Sequence, residues 1–429
     1  MDIVLVKNID TGDTAWVLVA AALVMFMTPG LALFYGGMVR TKNVLGMLMQ
    51  NFFSLGLITV LWVAVGYSLA FGGTNGFIGN FDFAWLQDVA GTNGGKIAGF
   101  APPGLGTLTI PPMVFMAYQM MFAVITPALI TGAIADRMRF SAWVWLLGLW
   151  AILVYSPVAH WVFAPSGWLF KRGALDFAGG TVVHVNAGIA ALAVVLVLGK
   201  RKGWPKHPMP PHSLPLTLIG TGILWFGWFG FNAGSALGAN GVAAQAFVNT
   251  TVAAATGMLG WLILEKLRSG HATTLGAASG AVAGLVAITP CAGFVGGMAP
   301  ILIGGIAGGI CYLAVSMKFR FGYDDSLDVI GVHLVGGLIG SLLLGLFADA
   351  SINAAVTKEG VFSGGGWSLF GEQMIAVGAT MVYSFVVTCL ICLALKAFMP
   401  GGIRVTEDDE ETGLDLTQHS EVAYATDLV

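Results

Sequence analysis

The sequence predicts an all-α polytopic membrane protein, and its composition, its long apolar runs and its distribution of positive charge support this fold class. Of the 429 residues, 57% are hydrophobic, 10% are charged and 61 are glycine. Soluble domains contain roughly 25% charged residues and about 7% glycine. The mean hydropathy of +0.84 therefore describes a chain embedded in a lipid bilayer, where glycine allows helices to approach closely. No nucleic-acid partner is expected.

Eleven apolar runs are long enough to be membrane spans, since about 20 helical residues cross the hydrocarbon core. The eighth run is short and rich in small residues. The predicted spans are 15–38, 44–73, 107–132, 140–162, 177–199, 214–237, 243–265, 271–288, 297–317, 328–348 and 371–398. Residues 1–14 contain three aspartates and one lysine, so we expect a short extracellular N-terminus and no signal peptide.

The basic residues indicate how the chain is oriented in the membrane. If the N-terminus is outside, the inner loops and the tail contain all but five of the 19 Lys and Arg residues. The five outer ones are Lys7, Lys96, Lys171, Arg172 and Lys358. This excess follows the positive-inside rule and predicts N-out, C-in. Because every inner loop contributes to it, the alternation also supports a count of eleven.

Two histidines lie in the middle of glycine-rich spans, His184 in the fifth and His333 in the tenth. A titratable ring at this depth is costly and usually faces a cavity, a partner or a substrate path. Asp176 precedes His184 by 8 residues, whereas Asp328 precedes His333 by 5. This loose similarity suggests two inverted five-helix halves, 15–199 and 214–348, and a final helix, 371–398, with both histidines at the centre. The alternative is two unrelated buried histidines, each bonded to a neighbouring carbonyl.

Several long motifs resemble the ammonium transporter family, the Amt/Mep/Rh group. In chain order they are FYGGMVRTKNV, AYQMMFAVITPALITGAIADRMRFSAW, DFAGGTVVHVNAGIAALAVVLVLGKR, WFGWFGFNAGSA and GVHLVGG. The resemblance runs from about residue 15 to the tail. It implies a plasma-membrane transporter of ammonium or ammonia, built as an eleven-helix bundle with one conduction path per subunit of a homotrimer. It implies neither an enzyme activity nor a cofactor.

The resemblance also implies roles for individual residues. His184 and His333 match the family's paired pore histidines, and Phe122 and Phe231 match the stacked phenylalanines that gate the outer mouth. The residues implied for the outer ammonium-recruitment site are Tyr118, Gln119, Phe163 and Ser235.

One departure from the family pattern concerns Phe163, where many relatives have tryptophan. The phenyl ring keeps a π face but lacks the indole N–H, so the outer site is expected to be weaker or built differently. Trp161 and Trp168 are nearby candidates to compensate. Asp176 and Asp328 match the family's buried aspartates before the fifth and tenth spans. We interpret both mainly as structural anchors at helix starts, with Asp176 also favouring cations near the outer mouth.

The implied chemistry suits the difference between ammonium and potassium. The two ions are similar in size, but ammonium donates directed hydrogen bonds and can release a proton. Aromatic faces attract either cation by about 0.5–2 kcal/mol, so hydroxyl acceptors must supply much of the selectivity. An intact cation costs on the order of 20 kcal/mol to move into a low-dielectric path, whereas neutral ammonia costs a few kcal/mol. Two alternatives for net transport remain: ammonia alone, or ammonia together with a proton that is relayed separately.

The polar tail, residues 399–429, is predicted to be cytoplasmic. Its acidic residues are mixed with Leu, Val and Tyr, and two alternatives remain, a disordered end or an ordered docking element. The segment ETGLDLTQHSEVAY resembles the family's regulatory tail. By resemblance, a PII-type nitrogen regulatory protein is a candidate partner at this face.

Three other functions compete with ammonium transport. A passive channel could conduct another small neutral solute, and a sensor could bind ammonium while transporting little. An intramembrane metalloenzyme lacks a third ligand at a recognisable spacing. Cys291, Cys311, Cys389 and Cys392 are interpreted as small buried hydrophobes. We expect His160 and His271 to be buried packing residues, and His207 and His212 to lie on the cytoplasmic surface.

Overall fold

The computed structural model describes residues 9–89, 92–93, 96–97 and 108–424. Within these residues, ten helices are long and apolar enough to cross a membrane, and one further apolar helix is shorter. In chain order they are α1 (Thr11–Met38), α2 (Thr41–Phe71), α3 (Pro112–Ile134), α4 (Phe140–Arg172), α5 (Gly180–Leu198), α6 (Leu214–Ala236), α7 (Gly241–Ser269), α8 (Thr274–Ile288, the shorter one), α9 (Ala299–Phe321), α10 (Ile330–Phe347) and α11 (Ser368–Phe398). Two short tail helices follow, α12 (Glu407–Thr412) and α13 (Leu414–His419).

Each predicted span overlaps one of these helices, and the short eighth span, 271–288, overlaps α8, which is not among the ten that are long enough to cross a membrane. The largest difference is in α4, which is interrupted at 164–167 and resumes to Arg172. Strands β1 (Thr92–Asn93) and β2 (Lys96–Ile97) form a small antiparallel pair between α2 and α3. Parts of three predictions lie outside the described residues: residues 1–8 of the N-terminus, residue 107 of the third span and residues 425–429 of the tail.

Glycine allows the central helices to pack backbone against backbone. A Cβ added to Gly188 of α5 would overlap the backbone of Leu334 in α10, and one added to Gly220 of α6 would overlap Phe34 of α1. Lipid provides no hydrophobic drive for helix association, so close van der Waals contact between small residues has to supply it. The Gly188 contact matters most for the site, because Leu334 directly follows His333.

The N-terminus and the tail lie against different sets of loops. The backbone N–H of Asp10 donates to Thr109 O at 2.8 Å, which places the start of α1 beside the start of α3. The tail instead contacts the loops that follow α1, α3 and α5. The loop that follows α9 joins them through the Asp324–Arg201 pair, and these four loops form what we call the tail face. Asp136 and Asp324, both buried there, bind Arg201 at 3.5 and 2.8 Å, and Arg40 binds Asp136 at 3.0 Å.

The described part of the tail, residues 399–424, docks on the tail face. Both carboxylate oxygens of Asp415 accept bonds from the first turn of α2, from Leu45 N at 3.0 Å and Gly46 N at 2.8 Å. Glu410 accepts a bond from Lys202 N at 2.6 Å and pairs with Arg404 at 2.8 Å. A carboxylate at a helix N-terminus is favourable because free N–H groups point towards it. Of the two alternatives for the tail, the structure shows the docked one.

Candidate functional site: a histidine pair below an aromatic vestibule

His184 and His333 meet inside the bundle. Their Nδ1 atoms are 3.2 Å apart, and their rings are nearly parallel, with centroids 5.3 Å apart and an interplanar angle of 17°. Both side chains are buried. Two ring nitrogens at this distance share one proton, because one must donate and the other accept.

Both histidines lie in short π-helical turns at the starts of their helices, Gly180–Val185 in α5 and Ile330–Leu334 in α10. A π turn inserts an extra residue and widens the helix locally, and such turns are frequent at functional sites. The close α5–α10 contact at Gly188 then brings the two turns together. The Nε2 atom of His184 is buried and has no hydrogen-bond partner among the described residues.

Three aromatic rings continue from the histidines towards one face of the bundle. Trp228 and Phe231, one turn apart on α6, stack on His184 with centroids at 5.5 and 5.9 Å. Phe122 packs on Phe231 at 4.5 Å. A narrow cavity of about 10 Å³ runs beside this stack and reaches both histidines, which is room for roughly one molecule of water or ammonia. Apart from the two histidines and the Trp228 indole its lining is aliphatic or phenyl.

A larger cavity of about 460 Å³, here called the vestibule, opens on the other side of Phe122. Of the residues predicted for outer recruitment, Gln119, Phe163 and Ser235 line the vestibule, and so does Asp176. One cation, Lys171, is also part of the lining.

Tyr118 does not line the vestibule as predicted. It is buried behind Phe231, and its hydroxyl lies 2.8 Å from Gly230 O, 2.9 Å from Phe231 O and 3.0 Å from Ser235 Oγ. A phenol has one proton and is fully engaged by these neighbours. Tyr118 therefore positions Phe231 and Ser235 and leaves Ser235 as the hydroxyl that faces the vestibule.

Asp176 lies where the vestibule meets α5. Its two carboxylate oxygens accept four backbone N–H bonds, from Gly179, Gly180, Thr181 and Val182, at 2.7–3.1 Å. These are the orphan donors at the start of the turn that carries His184. The carboxylate is thus an anchor for that turn, and its charge remains at the floor of the vestibule.

The chain has extensive similarity to proteins of known function. The model of the Ammonium Transporter Family matches residues 15–424. The chain belongs to this family. An ammonium transporter of Mycobacterium tuberculosis is 51% identical over 97% of this chain and 90% of its own length, and one of Bacillus subtilis is 50% identical over 96% and 98%. The crystal structure of Candida albicans Mep2 has a TM-score of 0.86 at 36% identity, covering 95% of this chain and 89% of that one.

The transporter is therefore a multi-pass plasma-membrane protein and not an enzyme. Within the part of the chain that the structure describes, no group of three or more His, Cys, Asp or Glu residues is placed to hold a metal ion. Cys291, Cys311 and Cys392 are buried and Cys389 is half-buried, all as free thiols.

In the transporter, Asp325 occupies the position that we assigned to Asp328. Asp325 accepts bonds from Val329 N at 3.1 Å and Ile330 N at 2.7 Å, at the start of the turn that carries His333. It precedes His333 by eight residues, the same spacing as from Asp176 to His184. Burial and then the Asp328 carboxylate raise the pKa of Asp325. Asp328 instead pairs with Lys318 at 2.6 Å and is partly exposed.

Other predictions about single residues have mixed outcomes. His160 is buried and bonded to Ala70 O at 2.8 Å, as expected, but His271 is exposed, because it lies in the loop between α7 and α8. Trp161 and Trp168 do not compensate for Phe163 at the vestibule. They pack edge to face, with ring centroids 5.8 Å apart, outside the vestibule lining, and the Trp161 indole donates to Phe77 O at 2.6 Å.

Proposed function

We propose that this transporter recruits ammonium in the vestibule, that the ion releases its proton there to solvent beside the Phe122–Phe231 pair, and that ammonia then passes His184 and His333. The observation that carries this mechanism is the histidine pair, with Nδ1 atoms 3.2 Å apart, at the end of a cavity that is otherwise apolar. A site built this way offers hydrogen bonds to a small neutral molecule and no counter-charge to a cation.

Size and polarity of the narrow cavity favour ammonia over ammonium. A cavity of about 10 Å³ leaves no space for a hydration shell, so an ion would enter bare. The Born cost of moving a unit charge into such surroundings is on the order of 20 kcal/mol. Ammonia loses hydrogen bonds worth a few kcal/mol, and imidazole nitrogens replace part of them. Deprotonation before the histidines is therefore the inexpensive route.

The vestibule has the groups needed to attract ammonium before that step. Phe122 and Phe163 supply aromatic faces, Ser235 supplies a hydroxyl acceptor, and Gln119 supplies an amide. The Asp176 carboxylate adds a negative charge, although its oxygens are occupied by backbone N–H groups. Ammonium can direct its protons at Ser235 and Gln119 whereas potassium cannot, so these two residues are proposed to provide selectivity.

The proposed arrangement in the membrane has eleven spans with the N-terminus outside and the tail inside. The contact of Asp10 with Thr109 and the docking of Asp415 on α2 support it, because the two chain ends lie against different loop sets. The proposed domains are an extracellular N-terminus (1–14), a transport domain (15–398) of two inverted halves (15–199 and 214–348) and a final helix (371–398), and a cytoplasmic tail (399–429). Matched spacings from Asp176 to His184 and from Asp325 to His333 support the inverted halves.

Two assembly proposals come from family membership alone. The transporter is proposed to form a homotrimer with one path per subunit. A PII-type regulatory protein is the proposed partner at the tail face.

The mechanism is tested by ammonium and potassium pulses applied to proteoliposomes on a solid-supported membrane. The wild type should take up ammonium, measured as alkalinisation of the liposome lumen, and give no potassium current; an ammonium current accompanies uptake only if the released proton crosses separately. His184→Glu places a carboxylate in the path, which offsets the cost of the bare cation, and should therefore reduce discrimination between the two ions by about tenfold or more. Unchanged discrimination would remove His184 from the path.

The same preparation separates the competing functions. If ammonium inhibits methylammonium uptake and urea does not, a channel for another neutral solute is excluded. Saturable ammonium binding with no flux would instead indicate a sensor.

A further inference from the structure

Gln373, near the start of α11, has a fully buried amide with every hydrogen-bonding group engaged. Its Oε1 accepts from Leu175 N at 2.8 Å, and its Nε2 donates to Leu175 O at 2.8 Å and to Ser341 O at 3.2 Å. Its exposed fraction is 0%. The Leu175 N–H requires an acceptor, so the orientation of the amide is determined. A long polar side chain buried in an apolar bundle is costly unless fully bonded.

These three bonds join the two segments that carry the histidines. Leu175 directly precedes Asp176, whose carboxylate anchors the turn of His184. Ser341 lies on α10, two turns after His333. A further contact links the same helices, since Thr181 Oγ1 and Ser341 Oγ are 3.1 Å apart. The final helix, which belongs to neither five-helix half, thus bonds to both halves near the segments that carry the histidines.

The residue before Gln373 contributes a second connection to the same segment. Glu372 pairs with Arg172 at 2.8 Å and with Lys358 at 3.2 Å, and Lys358 donates to Arg172 O at 2.8 Å. This cluster is more exposed, so it is worth less than the buried amide. It nevertheless shows that the segment before Asp176 is bonded to α11 at two points, Arg172 and Leu175.

We propose that Gln373 is a positioning residue for the ammonium path, which sets the floor of the vestibule and the separation of the two histidine turns. The inference rests on the proposed function. Gln373 does not itself line the vestibule and does not touch the histidines; it acts through Leu175, which lines the vestibule, and through Ser341. Its removal frees the peptide of Leu175, so Asp176 and the turn behind it can shift.

The test is Gln373→Met, which has a similar volume and makes none of the three bonds. A displacement of about 1 Å in a binding site changes activity by up to about a hundredfold. We expect the half-saturating ammonium concentration to rise about tenfold and ammonium-over-potassium discrimination to fall, in protein that elutes normally on size exclusion. If Gln373→Met does not fold, Gln373→Glu keeps the acceptor for Leu175 N–H, loses both donors and should show the same direction of change.

Thr388→Val is the matched control on α11. It removes a buried hydrogen bond of 3.0 Å that the Trp150 indole of α4 donates to Thr388, which does not involve α5 or α10, and should lower thermal stability without changing half-saturation or discrimination. If Gln373 variants behave like Thr388→Val, the positioning role is overturned and the proposed function stands. If the wild type takes up no ammonium, both proposals fail together.

Discussion

At the scale of single residues, the aromatic stack explains how a closed path can still pass a small molecule. Phe122 and Phe231 pack at 4.5 Å and separate the vestibule from the narrow cavity. In the proposed mechanism, rotation of either ring opens a route between the two cavities without moving a helix. Tyr118 fixes the main-chain end of the Phe231 side chain, because its hydroxyl bonds the Phe231 carbonyl oxygen.

Phe231→Ala should alter ammonium conduction by about fivefold or more, since an aromatic pair is worth roughly 1 kcal/mol and the ring separates the two cavities. Potassium leakage should appear with it. Uptake and current measurements in proteoliposomes provide the readout. Phe229→Ala is the control, because Phe229 stacks on Phe247 at 4.0 Å, away from the histidines. Wild-type conduction by Phe231→Ala would exclude a gating role.

Residues with chemistry of their own were predictable from sequence, and those that act through packing were not. His184, His333, Phe122 and Phe231 follow from polarity at depth and from motif resemblance, and the structure brings all four together. Trp228 was missed, although it lies one turn before Phe231 and therefore faces the same way. Gln373 and the burial of Tyr118 depend on contacts distant in sequence, which no local pattern reveals.

At the scale of helices, α5 and α10 begin alike. Each is preceded by an aspartate whose carboxylate binds free backbone N–H groups. Each has its histidine in a π turn, eight residues after that aspartate. The equal spacing is visible in the sequence when Asp325, and not Asp328, is taken as the anchor of α10. Asp324 and Asp325 are adjacent and polar, and only their contacts show that Asp325 belongs to the helix and Asp324 to Arg201.

Asp325→Ala tests this assignment. It leaves the N–H groups of Val329 and Ile330 without partners in buried surroundings, at a cost of about 1–3 kcal/mol, so the thermal unfolding temperature should fall clearly. Asp328→Ala removes a partly exposed pair with Lys318, which is worth about 0–1 kcal/mol. Equal effects of the two substitutions in a thermal unfolding assay would argue against Asp325 as the anchor.

At the scale of the whole molecule, the two faces of the bundle differ in what they hold. The vestibule face has an open cavity with aromatic and hydroxyl groups, whereas the tail face has a buried ion network covered by the docked tail. Hydropathy predicted where the apolar helices lie, because lipid leaves few alternatives to a helix. The docking of Asp415 on α2 was beyond prediction, since the two segments are far apart in sequence.

Accessibility of introduced cysteines tests the orientation. Ser351 and Asp408 are both exposed, the first near the vestibule and the second on α12. In intact cells, a membrane-impermeant maleimide should label Ser351→Cys, and should label Asp408→Cys only after permeabilisation. The unmodified chain is the control, because three of its cysteines are buried and the fourth is half-buried in α11. Labelling of Asp408→Cys from outside would reverse the proposed sidedness.

The Nδ1–Nδ1 contact of the two histidines has a consequence for protons. In the neutral pair, one ring presents a bare Nε2 and the other an Nε2–H. When one proton binds the bare Nε2 and another leaves the Nε2–H of the far ring, the pair becomes its mirror-image tautomer. That tautomer cannot accept a second proton in the same direction until it resets. Ammonia leaves the tautomers unchanged. The geometry thus limits the rate of a proton current through the pair and sets no such limit on the neutral molecule.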